Sequence, residues 1–262
     1  PRSVCCRRIS ALALERRGPH NRRMSDPTPG SVALAGVQDT QEHFLDGPRL
    51  EAGITRFWLI RHALVEENAR LCMYGSMDVP LCPESLVAQR PMYRALAARL
   101  PERAHWLVSP LSRTHRTAEA IFDAGYTLAD GSRPALQVEP ELIEQNLGRW
   151  QGLTYDRLPG HLRLLPHPFW PVGATDRPPE GESVADVCAR VGHLLDRLAA
   201  QYARQDVVAI AHGGVIRCAL AHALRVHAET ALHFSVQNLS ITILERLDAG
   251  WRVVTVNELP GV

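Results

Sequence analysis

Three short apolar runs, each ending in polar residues, constrain this chain more than any other feature. Arg56-Phe-Trp-Leu-Ile60 runs into Arg61-His62, His105-Trp-Leu-Val108 into Ser109-Pro-Leu-Ser-Arg113-Thr, and Val207-Val-Ala-Ile-Ala211 into His212-Gly-Gly214. Unbroken apolar runs of this length, bounded by polar residues, predict strands covered on both faces. Helical stretches are expected between them, over residues 86–100 with the first turns disturbed by Pro91, over 113–124 and over 214–226. The clearest helix opens at Ser183. Apolar residues at 184, 187, 188, 191, 194, 195 and 198 share one face, and Ser183 with Asp186 has capping-box spacing. Residues 240–246 and 251–257 read as a hairpin turning at Asp248-Ala-Gly250. Strands alternating with helices predict an α/β fold, a three-layer sandwich with a mostly parallel central sheet flanked by helices. Its site belongs at the carboxyl ends of the strands.

The length, 262 residues, suffices for one large α/β domain without disulfide or metal staples. No apolar run approaches the roughly 18 residues a membrane helix requires, so neither a membrane span nor a membrane partner is expected. All 29 residues in the Lys+Arg total are arginine. That excludes a Schiff-base lysine, a pyridoxal-phosphate anchor and a nucleotide-binding P-loop lysine. Residues 1–23 hold seven of those arginines against one acid, Glu15; the remainder carries 22 arginines against 27 acids. A mildly acidic body is not expected to bind nucleic acid. Residues 1–52 lack a sustained period and are expected to form a disordered arm, with 53–262 the folded domain that carries the motifs. An Arg-rich, acid-poor leader fits an organelle transit segment, but a start placed upstream of Met24 is the favoured reading. Cysteines 5, 6, 72, 82, 188 and 218 show no CxxC pair or Cys/His ligand spacing, which points to reduced thiols in a cytoplasmic protein.

A single histidine following an apolar strand is commonly a hydrogen-bonded core residue. Three strands delivering arginine or histidine to one sheet edge make a different pattern. Arg61, His62, Arg113 and His212, with no acid in these motifs, form a positive pocket suited to an oxyanion. Gly213 and Gly214, opening a helix, let backbone N–H groups approach an anion closely, or simply allow tight packing. The other histidines show no pairing that suggests metal ligation, so no metal and no cofactor are expected.

These residues resemble the histidine phosphatase superfamily, also called phosphoglycerate-mutase-like, over about residues 55 to 258. Arg61-His62 resembles the pair whose histidine accepts the phosphoryl group, and Asn68 falls where the family places an asparagine. Gly75-Ser-Met-Asp78-Val-Pro80-Leu81 is similar to G-x-x-D-x-P-L. Ser109-Pro-Leu-Ser-Arg113 with Thr117-Ala118 is similar to S-P-L-x-R-A-x-x-T-A, whose arginine grips phosphate. Leu142-Ile-Glu144 with Gly148-x-Trp150-x-Gly152 is similar to the segment whose glutamate is the proton donor. Gly181-Glu182-Ser183 and Ala211-His212-Gly-Gly-Val-Ile-Arg217 complete the set.

The resemblance implies a phosphomonoester hydrolase with no cofactor, acting on a small phosphorylated metabolite. His62 would be the nucleophile, Glu144 the proton donor, and Arg61, Arg113 and His212 would stabilise charge, with Asn68 and Gly213 in contact with substrate. A mutase is the alternative, as is a non-catalytic phosphate-binding module of the same fold. Residues 153–182 lack the Arg-Arg-Ser-Tyr-Asp-type insertion of cofactor-dependent mutases, which favours hydrolysis. Sugar phosphates, nucleotide-like phosphates and phosphorylated amino acids stay open as substrates. The sequence departs from the family where Ala63-Leu64-Val65 replace the usual Gly-Glu-Thr. The change predicts a drier pocket mouth and a partly apolar leaving group near Leu64, Val65 and Trp150, unless Leu64 and Val65 point into the core and touch no substrate.

Overall fold

The computed structural model describes residues 53–261; the expected arm over 1–52, with its leader and Met24, lies outside them. The elements in chain order are β1 (Thr55–Arg61), α1 (Glu67–Arg70), α2 (Pro83–Ala88), α3 (Arg90–Arg99), β2 (Ala104–Val108), α4 (Ser112–Asp123), β3 (Leu136–Val138), α5 (Val184–Gln201), β4 (Asp206–Ala211), α6 (Gly213–Leu224), α7 (Ala228–Ala231), β5 (Ile241–Leu247) and β6 (Gly250–Glu258). One six-stranded sheet has the order β3-β2-β4-β1-β5-β6. Its first four strands are parallel and the β5–β6 hairpin continues it antiparallel from β1. The fold is therefore α/β with a mostly parallel sheet, as the strand pattern predicts.

Strand alternation sorts the core into two layers. Phe57, Leu59, Leu107, Val207, Ala209 and Leu244 face one way, against the apolar stripe of α5 and the floor of α6. Trp58, Ile60, Trp106, Val208, Ile210 and Ile243 face the other way, against Tyr93 and Leu96 of α3 and Ala118 and Ile121 of α4. The capping box at α5 is complete, with the Ser183 side chain bonded to the Asp186 amide and the Asp186 carboxylate to the Ser183 amide. The helix expected over 86–100 begins earlier and divides at Gln89, because Pro91 lacks the N–H an unbroken helix would need there and sits in the first turn of a new one. The three-residue edge strand β3 pairs with β2 and is too short to show a period.

Between α4 and α5, the chain forms the irregular Pro-rich excursion over 153–182 that the sequence suggests, with only a short 3-10 turn at Leu158–His161. The four described cysteines are free thiols. No helix among the described residues is long and apolar enough to cross a membrane.

Candidate active site

β1, β4 and β2 lie side by side and parallel, so their carboxyl ends bring Arg61-His62, His212 and the Ser109–Arg113 segment to one edge. His62 N–H closes onto the Ala211 carbonyl at 3.0 Å, which fixes the first turn after β1. The His62 and His212 rings meet edge to face with centroids 5.1 Å apart, and both residues are buried.

Hydrogen bonds assign the ring nitrogens. His62 Nδ1 lies 2.7 Å from the Ala63 carbonyl. A carbonyl only accepts, so Nδ1 carries the proton and the lone pair is on Nε2. His212 Nε2 is 2.8 Å from Ser109 Oγ, which also accepts from the Leu111 amide at 3.2 Å. The hydroxyl donating to Nε2 leaves the His212 proton on Nδ1, a buried atom with no protein partner. Burial holds the His62 ring well below the usual histidine range, reinforced by the charges of Arg113 and then Arg61. His212 is lowered for the same first reason, with His62, Arg113 and Arg61 adding to it.

Arg113 is fully buried. Its terminal nitrogens donate to the Met77 carbonyl at 2.7 Å and the Gly75 carbonyl at 2.8 Å. The Gly75–Leu81 motif is thus a cradle for this guanidinium, and Asp78 in the same motif accepts from the Ser112 amide at the start of α4, at 2.8 Å. Thr117 Oγ1 ties α4 back to the nucleophile loop by accepting the Ala63 N–H at 2.9 Å. Ala63 itself packs into the apolar layer beneath, which is how the loop accepts a side chain where the family usually has glycine.

Glu144 is half-buried between the sheet edge and the Pro-rich excursion. Its Oε2 accepts from the Gly214 amide at 3.1 Å and its Oε1 from the Gln145 amide at 3.0 Å. Its charge acts on both Arg113 and Arg217, opposing the effect of burial on each. The loop that carries it is pinned from both sides. Arg190 donates to the Glu141 and Ile143 carbonyls and pairs with Glu182 at 3.0 Å. Gly148, at φ +47°, lies so close to the Pro179 carbonyl and Gly181 that no Cβ fits.

Arg61 Nε, Arg113 Nε, His212 Nδ1 and Arg217 Nη1 are all buried with no hydrogen-bond partner. Among the described residues, no carboxylate forms an ion pair with Arg61, Arg113 or Arg217. Unpaired buried donors of positive charge clustered at one edge make a site for an anion. Asn68 is exposed on α1 and outside the lining of the adjoining cavity. Gly213 does line the cavity. No group of three or more His, Cys, Asp or Glu among the described residues could hold a metal ion.

Beside the buried histidines lies a cavity of about 280 Å³. Leu64, Val65, Trp170 and Val187 are among its walls, and Arg61, Arg70, Glu144, Gln145 and Arg217 are among its polar groups. Trp150, expected at the pocket mouth, is instead buried in the core layer under α5. Trp170 takes that place, with the Arg217 guanidinium 4.4 Å from its ring centre. Sequence motifs include Arg217 but give no sign of this stacking.

The sequence profile of the histidine phosphatase superfamily (branch 1) matches residues 57–259, and the chain belongs to that superfamily. It is 27% identical over 202 residues to the probable phosphoglycerate mutase GpmB of Yersinia pestis, covering 74% of this chain and 86% of the relative. A solved mycobacterial glucosyl-3-phosphoglycerate phosphatase superposes with TM-score 0.64 at 25% identity, over 78% of this chain and 99% of its own. A putative α-ribazole-5'-P phosphatase from Escherichia coli superposes with TM-score 0.64 over 81% of this chain and 100% of its own. At 22% identity the likeness of this last pair is one of fold alone.

Proposed function

We propose that the protein hydrolyses the phosphomonoester of a small metabolite through a phosphohistidine on His62. The observation that carries this reading is the His62 ring itself. It is held neutral with its proton on Nδ1, beside buried donors that have no protein partner. A phosphoryl group in transfer spreads charge over three equatorial oxygens, and preorganised donors stabilise that charge without reorganising. Arg61, Arg113 and His212 Nδ1 supply them.

In the first step His62 Nε2 forms the P–N bond while the ester P–O bond breaks, and a proton from Glu144 passes to the leaving oxygen. In the second, water attacks phosphorus, its proton returns to Glu144, and the P–N bond breaks to release phosphate. Hydrolysis is favoured over mutase chemistry because the cavity beside the site has mainly apolar walls. Such walls suit the departing alcohol better than a polar phosphoglycerate. Since guanidinium groups occupy the charge-stabilising positions, turnover is expected to persist in a chelator.

The test is rapid acid-free quenching after a chromogenic aryl phosphate with EDTA present, followed by phosphate analysis of the denatured chain. An acid-labile, alkali-stable phosphate in wild type, absent in His62→Ala together with turnover, is the expected result. Wild-type activity in His62→Ala would overturn the mechanism.

A further inference from the structure

Three arginines line the leaving-group cavity, and of the two that phosphoryl transfer does not use, Arg70 is exposed and Arg217 is buried. Arg217, the fifth residue of α6, is 8% exposed. Its Nε donates to the Phe234 carbonyl at 2.9 Å, and its guanidinium plane lies over Trp170. Nη1 is buried and has no partner. His62, Arg113 and His212 do not line the cavity, whereas Arg217 does, together with Leu64, Val187 and Trp170. The position a Cβ on Gly213 would occupy is 3.0 Å from Arg217 Nη1 and 3.4 Å from Arg61 Nε. The missing side chain at 213 therefore keeps both guanidinium groups open.

A buried, fixed guanidinium with a terminal nitrogen unbonded and no carboxylate in direct contact is costly unless an acceptor arrives with the ligand. Held by a carbonyl on one side and an aromatic face on the other, the fork is already oriented, so little side-chain freedom is lost on binding. The walls around it are mainly apolar. A volume of about 280 Å³ lies at the small end of ligand pockets, enough for a compact alcohol but not for a nucleotide or disaccharide.

We infer that Arg217 forms an anion subsite for the leaving group, so that the substrate is the phosphomonoester of a compact, largely apolar alcohol bearing one carboxylate. This rests on the proposed phosphatase reading and narrows its substrate class. Arg61 and Arg113 take the phosphoryl end, Arg217 the carboxylate, and the apolar walls the body between them. Removing the carboxylate leaves Arg217 buried and unpaired, a mismatch that discriminates more strongly than a lost apolar contact.

The probes are 3- and 4-carboxyphenyl phosphate with their neutral carbamoyl counterparts, assayed with wild type, Arg217→Gln and Arg217→Lys. In wild type, kcat/KM for the carboxylate at one ring position should exceed that for its carbamoyl partner by at least about tenfold, mostly through KM. Arg217→Gln should remove that preference and Arg217→Lys should restore part of it. Calorimetry with the matching non-hydrolysable aryl phosphonates reads the same preference in binding. No preference in wild type at either position would overturn the inference, whatever the variants do. So would equal losses on both members of each pair in Arg217→Gln, because Arg217 would then serve the phosphoryl group or the fold. Selective phosphonate binding without turnover would support the subsite and defeat the phosphatase reading instead.

Discussion

The Gly214 amide donates to Glu144 Oε2 at 3.1 Å, and the same carboxylate fills the space a Cβ at 214 would need. The glycine at the start of α6 thus seats the proton donor, and the helix N-terminus favours the carboxylate left once its proton has passed to the leaving group. Gly214→Ala should displace Glu144 while leaving His62 in place. General acid catalysis contributes roughly 10² to 10⁴ in rate and matters most when the leaving group is poor. Turnover of an alkyl phosphate should therefore fall by about 10- to 100-fold, and that of an activated aryl phosphate by much less. Steady-state kinetics on the two esters decide it; an equal loss on both would mean that Gly214 does not act through Glu144.

Ser109 sets the tautomer of His212, and its hydroxyl is buried at the end of β2. Ser109→Ala leaves His212 Nε2 and the Leu111 amide without a partner, at a cost of about 1 to 3 kcal/mol for each buried group left unsatisfied. The imidazole proton is then free to move to Nε2, away from the anion. The expected outcome is a lower thermal midpoint together with a roughly tenfold fall in kcat/KM. Calorimetric scanning and kinetics on the same preparation read both.

The nucleophile strand and its neighbours were legible because buried parallel strands write continuous apolar runs, and Arg61, His62, Arg113 and His212 sit directly after them. Leu64 and Val65, which follow the nucleophile, line the cavity, and Val65 belongs to the buried core as well. The support of Glu144 was not legible. It depends on contacts such as Gly148 against Pro179 and Arg190 on Glu182, which no local period records. That Trp150 is core and Trp170 a cavity wall was hidden for the same reason, since each sits in irregular chain where burial is decided by tertiary packing. Asn68 matched a spacing, yet the four-residue α1 holds it at the surface. The role of Arg217 needed the Trp170 ring and the Phe234 carbonyl to become visible.

Away from the site, Glu245 is fully buried on β5, where Arg56 donates to it at 2.8 Å and Arg252 from β6 at 2.8 Å. Breaking a fully buried ion pair costs about 3 to 5 kcal/mol, but without Glu245 Arg56 keeps Asp206 and Arg252 is 35% exposed, so the loss is smaller here. Glu245→Ala should lower the thermal midpoint by roughly 5 °C, since about 1 kcal/mol moves a domain of this size by about 2 to 4 °C. Glu245→Gln, which keeps the shape and some hydrogen bonds, should lose less. Activity at low temperature should survive in both, because neither touches the site. A midpoint unchanged in Glu245→Ala would show that the cluster contributes nothing net.

The two active-site histidines also link stability to pH. Burial disfavours the charged form of each, so both titrate in the folded chain well below their ordinary 6.5. Between the folded value and 6.5 the unfolded chain binds more protons than the folded one, so unfolding becomes easier as pH falls below about 6.5. Each ring contributes at most about 1.4 kcal/mol per pH unit in that window, and nothing above it. The thermal midpoint should therefore decline from about pH 7 to about pH 5. His212→Gln, with one titrating ring fewer, should show a shallower decline than wild type. Because His62 stays neutral through the same window, the acidic limb of kcat/KM should lie below 6.5 rather than at it. Midpoints measured across this range in both proteins decide the first expectation: parallel slopes would mean that His212 is not held neutral by the fold. An acidic limb centred at 6.5 would mean the same for His62.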